Sequence, residues 1–243
     1  WSGMRKWKQL IGVAVLGLIV LLAMASQPVI SADNAAEIPV DTKYLALTFD
    51  DGPKQGTTDR LLDGLKERGA NATFFLVGEW AALNQDLVRR MRDEGHQIGN
   101  HTWSHVRLEG ADTEKLLQEI QHNETLLREI LGGEGYWLRP PYGAIAPELA
   151  KQVKVPMIKW SVDPRDWATR DTAAIETFVL EKIRDGDIVL LHDMSESSVN
   201  AALAIVDQLL EEDFEFVTVS ELARIRRAKL IPGREYKAFP RGE

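Results

Sequence analysis

Short apolar runs alternate with longer amphipathic segments along most of this chain, and that rhythm leaves few folds open. Residues 44–49, 72–77, 96–100, 136–139, 156–162, 188–192 and 214–219 read as strands, brief and rich in β-branched or aromatic side chains. Helical patterns fill the intervals. Residues 59–68 carry Leu61, Leu62 and Leu65 at helical spacing, and Asn84 caps a segment that Gly95 stops. Asp112 opens a long helix striped by Leu116, Ile120, Leu127 and Ile130 and ended by Gly132-Gly133. Further helices fit 147–153, 171–184 and 197–212, with a closing one capped by Ser220. Units of this length join parallel strands through covering helices. The expected fold is α/β, a distorted or incomplete (β/α) barrel with parallel strands and outer helices; a doubly wound sheet has the same alternation. One regularity favours the barrel. Asp50-Asp51, His101 and His105, Arg139, Asp163 to Asp166, and His192 all fall where strand runs end. In parallel α/β folds, sites are built at those carboxyl ends.

Ahead of this body, Arg5, Lys6 and Lys8 precede an uncharged apolar run, residues 10–25, closing on Ala23-Met24-Ala25. Basic, then apolar, then small-x-small is the pattern of an export signal. The run is shorter than the roughly 20 residues of a typical spanning helix. It reads as a signal peptide cut there or after Ala32, or as a membrane anchor at residues 10–25. Trp1-Ser2-Gly3 before Met4 reads as a cloning remnant. Residues 1–37 are thus assigned to remnant, signal or anchor and a short linker, and residues 38–243 to one globular domain. The expected location is outside the cell or at its wall, with the first segment engaging the export machinery and the membrane.

Net charge sharpens the choice of partner. The chain carries −8, and its leading segment contributes bases without acids, so the body is more acidic still. That excludes a nucleic-acid binder, whose surface should be basic. There is no cysteine, which rules out disulfides, thiolate metal ligands and a lipoprotein anchor. A metal in this chain must be held by histidine and carboxylate.

His101 and His105 offer two such ligands. At i, i+4 on a helical turn their Cβ atoms would be about 5–6 Å apart, against on the order of 13 Å in a strand. Only the turn lets both imidazoles reach one ion, and two unrelated histidines would show the same spacing. Thr48-Phe49-Asp50-Asp51-Gly52-Pro53 supplies carboxylates at a strand end, where Gly52-Pro53 forces a turn. Two carboxylates near one cation would divide the work, one ligating and one taking protons, though the same residues could simply cap a turn.

Thr48–Pro53, His101-Thr102-Trp103-Ser104-His105, Arg139-Pro140-Pro141-Tyr142-Gly143, Asp163-Pro164-Arg165-Asp166-Trp167 and Leu190-Leu191-His192 occur in the order found in polysaccharide deacetylases. The chain resembles that family, with its NodB-homology domain of carbohydrate esterase family 4, over nearly the whole of residues 38–243. The resemblance implies a metal triad of Asp51, His101 and His105 and one divalent ion, Zn²⁺ by preference, with Co²⁺, Ni²⁺ and Mn²⁺ as alternatives. It implies Asp50 as general base, His192 as general acid, Arg139 as the residue orienting the base and Asp166 as the partner tuning His192. The backbone N–H of Tyr142 is implied as oxyanion donor, and Tyr142, Trp167 and Leu190 as pocket walls around the acetyl group. His96 and His122 read as structural or exposed, Asp163 as structural, and Trp80, Trp137 and Trp160 as core.

The implied activity is removal of N-acetyl groups from an amino-sugar polymer, peptidoglycan or a chitin-like chain, by a monomer. An acetylxylan O-acetyl esterase would use the same site. A catalytically inactive glycan-binding relative would be expected to have lost the base, a ligand or the acid, all of which stand here. An amidase for small non-sugar substrates fits an export signal less well.

Overall fold

The computed structural model describes residues 42–110 and 112–242, so the export and anchor readings lie outside the described residues. Along the chain run β1 (Lys43–Asp50), α1 (Thr58–Glu67), β2 (Thr73–Leu76), α2 (Gly78–Leu83), α3 (Gln85–Asp93), β3 (Gln97–Asn100) and α4 (Thr113–Leu131). There follow α5 (Pro147–Ala150), β4 (Met157–Ile158), α6 (Asp166–Thr169), α7 (Thr172–Lys182), β5 (Ile188–His192), α8 (Glu196–Glu211), β6 (Phe214–Phe216), α9 (Val219–Ile225) and β7 (Glu235–Tyr236).

β1 organises everything else. Its side chains alternate between two faces, as a pleated strand requires. Leu45, Leu47 and Phe49 enter a large apolar layer with Leu61, Leu62 and Leu65 of α1 and Val199, Ala202, Ile205 and Val206 of α8. Tyr44 and Ala46 point the other way, into an interior cluster with Phe75, Ile158, Ile188, Val219 and Leu222. Each fully buried Leu or Phe stabilises by about 1.5–3 kcal/mol, so both faces of β1 are committed. A strand buried on both sides belongs inside a parallel sheet flanked by helices.

The ladders are parallel throughout. β1 pairs with β5 on one side; on the other it pairs with β6 along its first residues and β2 along the rest. β2 pairs with β3, and β4 with β7. Single parallel bridges carry the round onward: Asn100 to Leu138, Leu138 to Met157, and Val162 to Val189. The result is the expected parallel-strand α/β fold with outer helices, a distorted and incomplete barrel.

Residues 136–139 and 156–162 are where the expected strands shrink, to one bridge residue and to the two residues of β4. Pro140 and Pro141 lack the N–H a longer ladder would need. The carbonyls of Ile158 and Lys159 accept from the guanidinium of Arg139. The closing helix is capped by Thr218 rather than Ser220, in a capping box with Glu221. Asn84 precedes α3 without a side-chain cap; its amide donates instead to the carbonyls of Trp80 and Pro53. Asp112 caps α4 as expected, accepting from Lys115 N at 3.1 Å. The sequence pattern does not mark α2, α6 or β7.

Candidate active site

The register sets the level of the site. Asp50 lies opposite His192 across β1 and β5 and opposite Phe75 across β1 and β2, while Asn100 ends β3 beside Leu76. The carboxyl ends of adjacent strands therefore deliver their last residues to one rim. Asp50 continues the inward face of β1 and is buried. At Asp51 the backbone turns left-handed, with φ of 76°, and its carboxylate swings from the strand toward the histidines.

His101 follows β3 and is 2% exposed. Its Nδ1 lies 2.7 Å from the carbonyl oxygen of Arg139. A carbonyl only accepts, so Nδ1 carries the hydrogen and Nε2 keeps a free lone pair aimed at the rim. Burial pushes the imidazole down to about 3 despite the Asp51 charge beside it, which keeps it neutral and able to ligate at ordinary pH. Positive φ at Thr102 and His105 curls the segment back, and the two rings sit 4.9 Å apart. This is the compact turn that lets an i, i+4 pair converge.

Asp51 Oδ1 lies 3.5 Å from His101 Nε2 and 3.3 Å from His105 Nε2. That oxygen is buried and accepts no hydrogen bond among the described residues. A neutral imidazole facing an orphaned carboxylate oxygen is a poor arrangement by itself and a good one around a cation. The three donor atoms fall within 4.8 Å of one another. One carboxylate and two histidines suit a divalent ion with positions left open for catalysis. The residues present fit the group.

Asp50 has one oxygen on each of two neighbours. Oδ1 accepts from Arg139 Nη1 at 2.7 Å, and Oδ2 lies 3.5 Å from His101 Nε2, on the metal side. Arg139 is itself fully buried: Nη1 also donates to Thr48 Oγ1, Nε to the Ile158 carbonyl and Nη2 to that of Lys159, and the guanidinium lies over the Phe75 ring. Burial raises the Asp50 carboxyl above its usual range, opposed by Arg139. A raised carboxylate, pinned at one oxygen with the other free, is a better proton acceptor than a surface one.

Across the rim, Asp166 begins α6 with its carboxylate fully buried. It accepts from His192 twice, from Nδ1 at 2.7 Å and from the backbone N–H at 2.8 Å. Burial lowers the His192 pKa, but the Asp166 hydrogen bond and charge outweigh it and lift the value to about 9. His192 Nε2 then points at the site, 3.9 Å from Asp51 Oδ2.

Around these groups stand the expected wall residues. Leu190 is buried two residues before His192, on the same face of β5. Tyr142 is 57% exposed, at φ 59°, with its ring 4.8 Å from that of His105. Trp167, next to Asp166, is 54% exposed, which leaves it as a flank of the rim. Asp163 accepts from the Arg165 N–H, a local turn contact. His96 is buried and accepts from the Ala72 N–H, while His122 stacks on Trp103. Trp137 and Trp160 pack against the interior cluster, but Trp80 is an exposed residue of α2, not core.

Two supporting residues escaped the sequence. Asn123 of α4 is fully buried, and its Nδ2 reaches the carbonyls of Leu76 and Thr102 and the side chain of Asn100, tying β2 and β3 together beneath His101. Asp193 is fully buried beside Gly52, and burial pushes its carboxyl up to about 7. The doublet of acid and histidine at the end of β5 was the available signal for Asp193; Asn123 had none beyond lying within an amphipathic helix.

A sequence profile of the polysaccharide deacetylase family matches residues 37–157. A peptidoglycan-N-acetylglucosamine deacetylase of Bacillus cereus is 38% identical over 198 residues, 78% of this chain and 92% of that protein. The chain belongs to the polysaccharide deacetylase family. Another polysaccharide deacetylase, the peptidoglycan-N-acetylmuramic acid deacetylase PdaC of Bacillus subtilis, is 36% identical over 201 residues, 83% of this chain. The chain spans only 43% of the length of PdaC. A solved family 4 acetyl xylan esterase from Clostridium thermocellum, in complex with a cobalt ion, matches with a TM-score of 0.77 and 30% identity, covering 82% of this chain and 100% of that one. Polysaccharide deacetylases are metal-dependent, and Asp51, His101 and His105 are this chain's candidate site for the ion.

Proposed function

We propose that this protein hydrolyses N-acetyl groups of an amino-sugar polymer, with peptidoglycan the first candidate, releasing acetate and leaving a free amine. The carrying observation is the opposition of two differently tuned groups across the candidate metal centre: Asp50 fixed by Arg139 on one side, His192 fixed by Asp166 on the other. The named relatives act on peptidoglycan, which supports the substrate and a place at the cell wall.

Asp51, His101 and His105 would hold the divalent ion, Zn²⁺ by preference. When bound, the ion polarises the amide carbonyl and acidifies water. Asp50 Oδ2 faces that position and takes a proton, while Arg139 on Oδ1 keeps the carboxylate from rotating. The left-handed turn at Tyr142 presents a backbone N–H to the developing negative oxygen. An amine leaves poorly unless protonated, and His192 Nε2, held cationic by Asp166, delivers that proton. Leu190, Tyr142 and Trp167 bound the acetyl group and exclude water.

An O-acetyl esterase reading rests on the likeness to the acetyl xylan esterase, and the two differ in the leaving group alone. The deciding experiment is acetate release from peptidoglycan, chitin oligomers and acetylated xylan by metal-loaded protein, with Asp50→Asn as control. Release from an amino-sugar polymer, lost in the control, is the expected result. Release from xylan alone would move the assignment to the esterase, and no release from any of them would overturn the enzymatic reading.

A further inference from the structure

One buried carboxylate has no part in the chemistry above. Asp193 follows the last residue of β5, is fully buried, and makes no ion pair with a basic side chain among the described residues. Its carboxylate lies flat on the α-carbon of Gly52: a Cβ at that position would fall 2.3 Å from Oδ2 and 2.4 Å from Oδ1. The backbone at Gly52 is not left-handed, so glycine is required there for space and not for its φ. Thr58 donates its hydroxyl to Asp193 Oδ2 and accepts from the Lys54 N–H at 2.8 Å. Lys54 Nζ donates to the Met194 carbonyl at 2.9 Å. On its other side, the Gly52 carbonyl accepts from Val77 N at 3.3 Å. The turn after β1 is thereby gripped between the end of β2 and the end of β5.

That grip matters because Asp51, the residue before Gly52, holds a left-handed backbone conformation unfavourable for a side chain. Such a conformation persists only where its surroundings impose it. We propose that Asp193 is a positioning residue: its carboxylate, packed on Gly52 and tied to Thr58, fixes the Asp51–Gly52 turn so that Asp51 faces His101 and His105. The inference rests on the reading of those three as metal ligands. Asp193 also joins the strand end that bears His192 to the turn that bears Asp50 and Asp51, so acid and metal sides keep one spacing.

The test is a cobalt(II) titration of wild type, Asp193→Asn, Asp193→Ala and Thr58→Val, read by visible absorption and by competition with a chromogenic chelator, with circular dichroism to establish folding. Asparagine fills the same volume and still accepts from Thr58, so its affinity stays within about threefold of wild type. Alanine removes both contacts and weakens cobalt at least about tenfold with an altered absorption band, the scale of losing a group that orients a ligand. Thr58→Val falls between. A folded alanine variant with wild-type affinity and spectrum overturns the proposal, as does asparagine losing as much as alanine. Should the alanine variant not fold, Thr58→Val carries the test, and wild-type affinity there is equally decisive against it. Failure of the wild type itself to bind cobalt would instead sink the ligand assignment.

Discussion

Replacing Arg139 with methionine separates the two things this residue does. Methionine fills much of the volume but removes the donors to Asp50, Thr48, Ile158 and Lys159. The most serious consequence is at Asp50, a carboxylate 3% exposed that loses the one cationic hydrogen-bond donor it has among the described residues. Breaking a buried ion pair by removing one partner typically destabilises by about 3–5 kcal/mol, mainly because the remaining charge is uncompensated. Arg139→Met should lose that much in urea denaturation of metal-free protein. Adding Asp50→Asn should then recover about 1–3 kcal/mol, since the orphaned charge is gone and only neutral acceptors remain unsatisfied. Both variants stay inactive, so stability returns without function. Strictly additive losses in this double-mutant cycle would refute the argument, because they would mean that Asp50 and Arg139 are not coupled.

Asp166→Asn should lower the His192 pKa from about 9 by at least about one unit, followed by NMR titration of the metal-free protein, because the ring loses an adjacent negative charge. The alkaline limb of kcat/KM should move down with it, whereas equal loss at every pH would point to misfolding instead. His96 titrates at about 4 in the fold against 6.5 ordinarily, burial disfavouring its charged form. The unfolded chain therefore binds the proton first, and stability falls as pH drops through that window. Between pH 7 and 5 the wild type should lose about 2 kcal/mol more than His96→Gln, measured by chemical denaturation at each pH. Asn123→Leu should destabilise by about 0.5–1.5 kcal/mol, because it removes a donor to the Leu76 and Thr102 carbonyls while each keeps one backbone donor, and thermal melts would show this.

Much of this was legible from residues alone, and the reasons differ by element. β1 and β5 were readable because each is a continuous apolar run buried on both faces, where composition and burial agree. The stretch 136–162 misled because its side chains look strand-like while its ladder gives way to prolines and to the guanidinium of Arg139. Thr218 and Ser220 are both competent caps, and the choice between them was made by Glu221 reaching back, a contact of geometry rather than composition. At the site, Asp50, Asp51, His101, His105, Arg139, Asp166 and His192 are polar groups at strand ends, which is an unusual placement and therefore a visible one. Asn123 and Asp193 act from behind that rim, within a helix and past a strand, where a single polar letter carries no such mark.

The strand register has a thermodynamic consequence of its own. The three candidate metal donors come from the ends of two strands that are joined through β2, and the groups facing them come from residues as distant in the chain as Arg139 and His192. An unfolded chain, with no cysteine to offer, would hold such an ion weakly. Ion binding is then coupled to folding itself: at a free concentration one hundred times its Kd, an ion selective for the native state adds about 2.7 kcal/mol to stability. For a protein of this marginal class that is a substantial fraction of the total. Occupancy of the centre would thus set how long the protein survives as well as whether the proposed reaction proceeds, and ion supply in its surroundings would govern both.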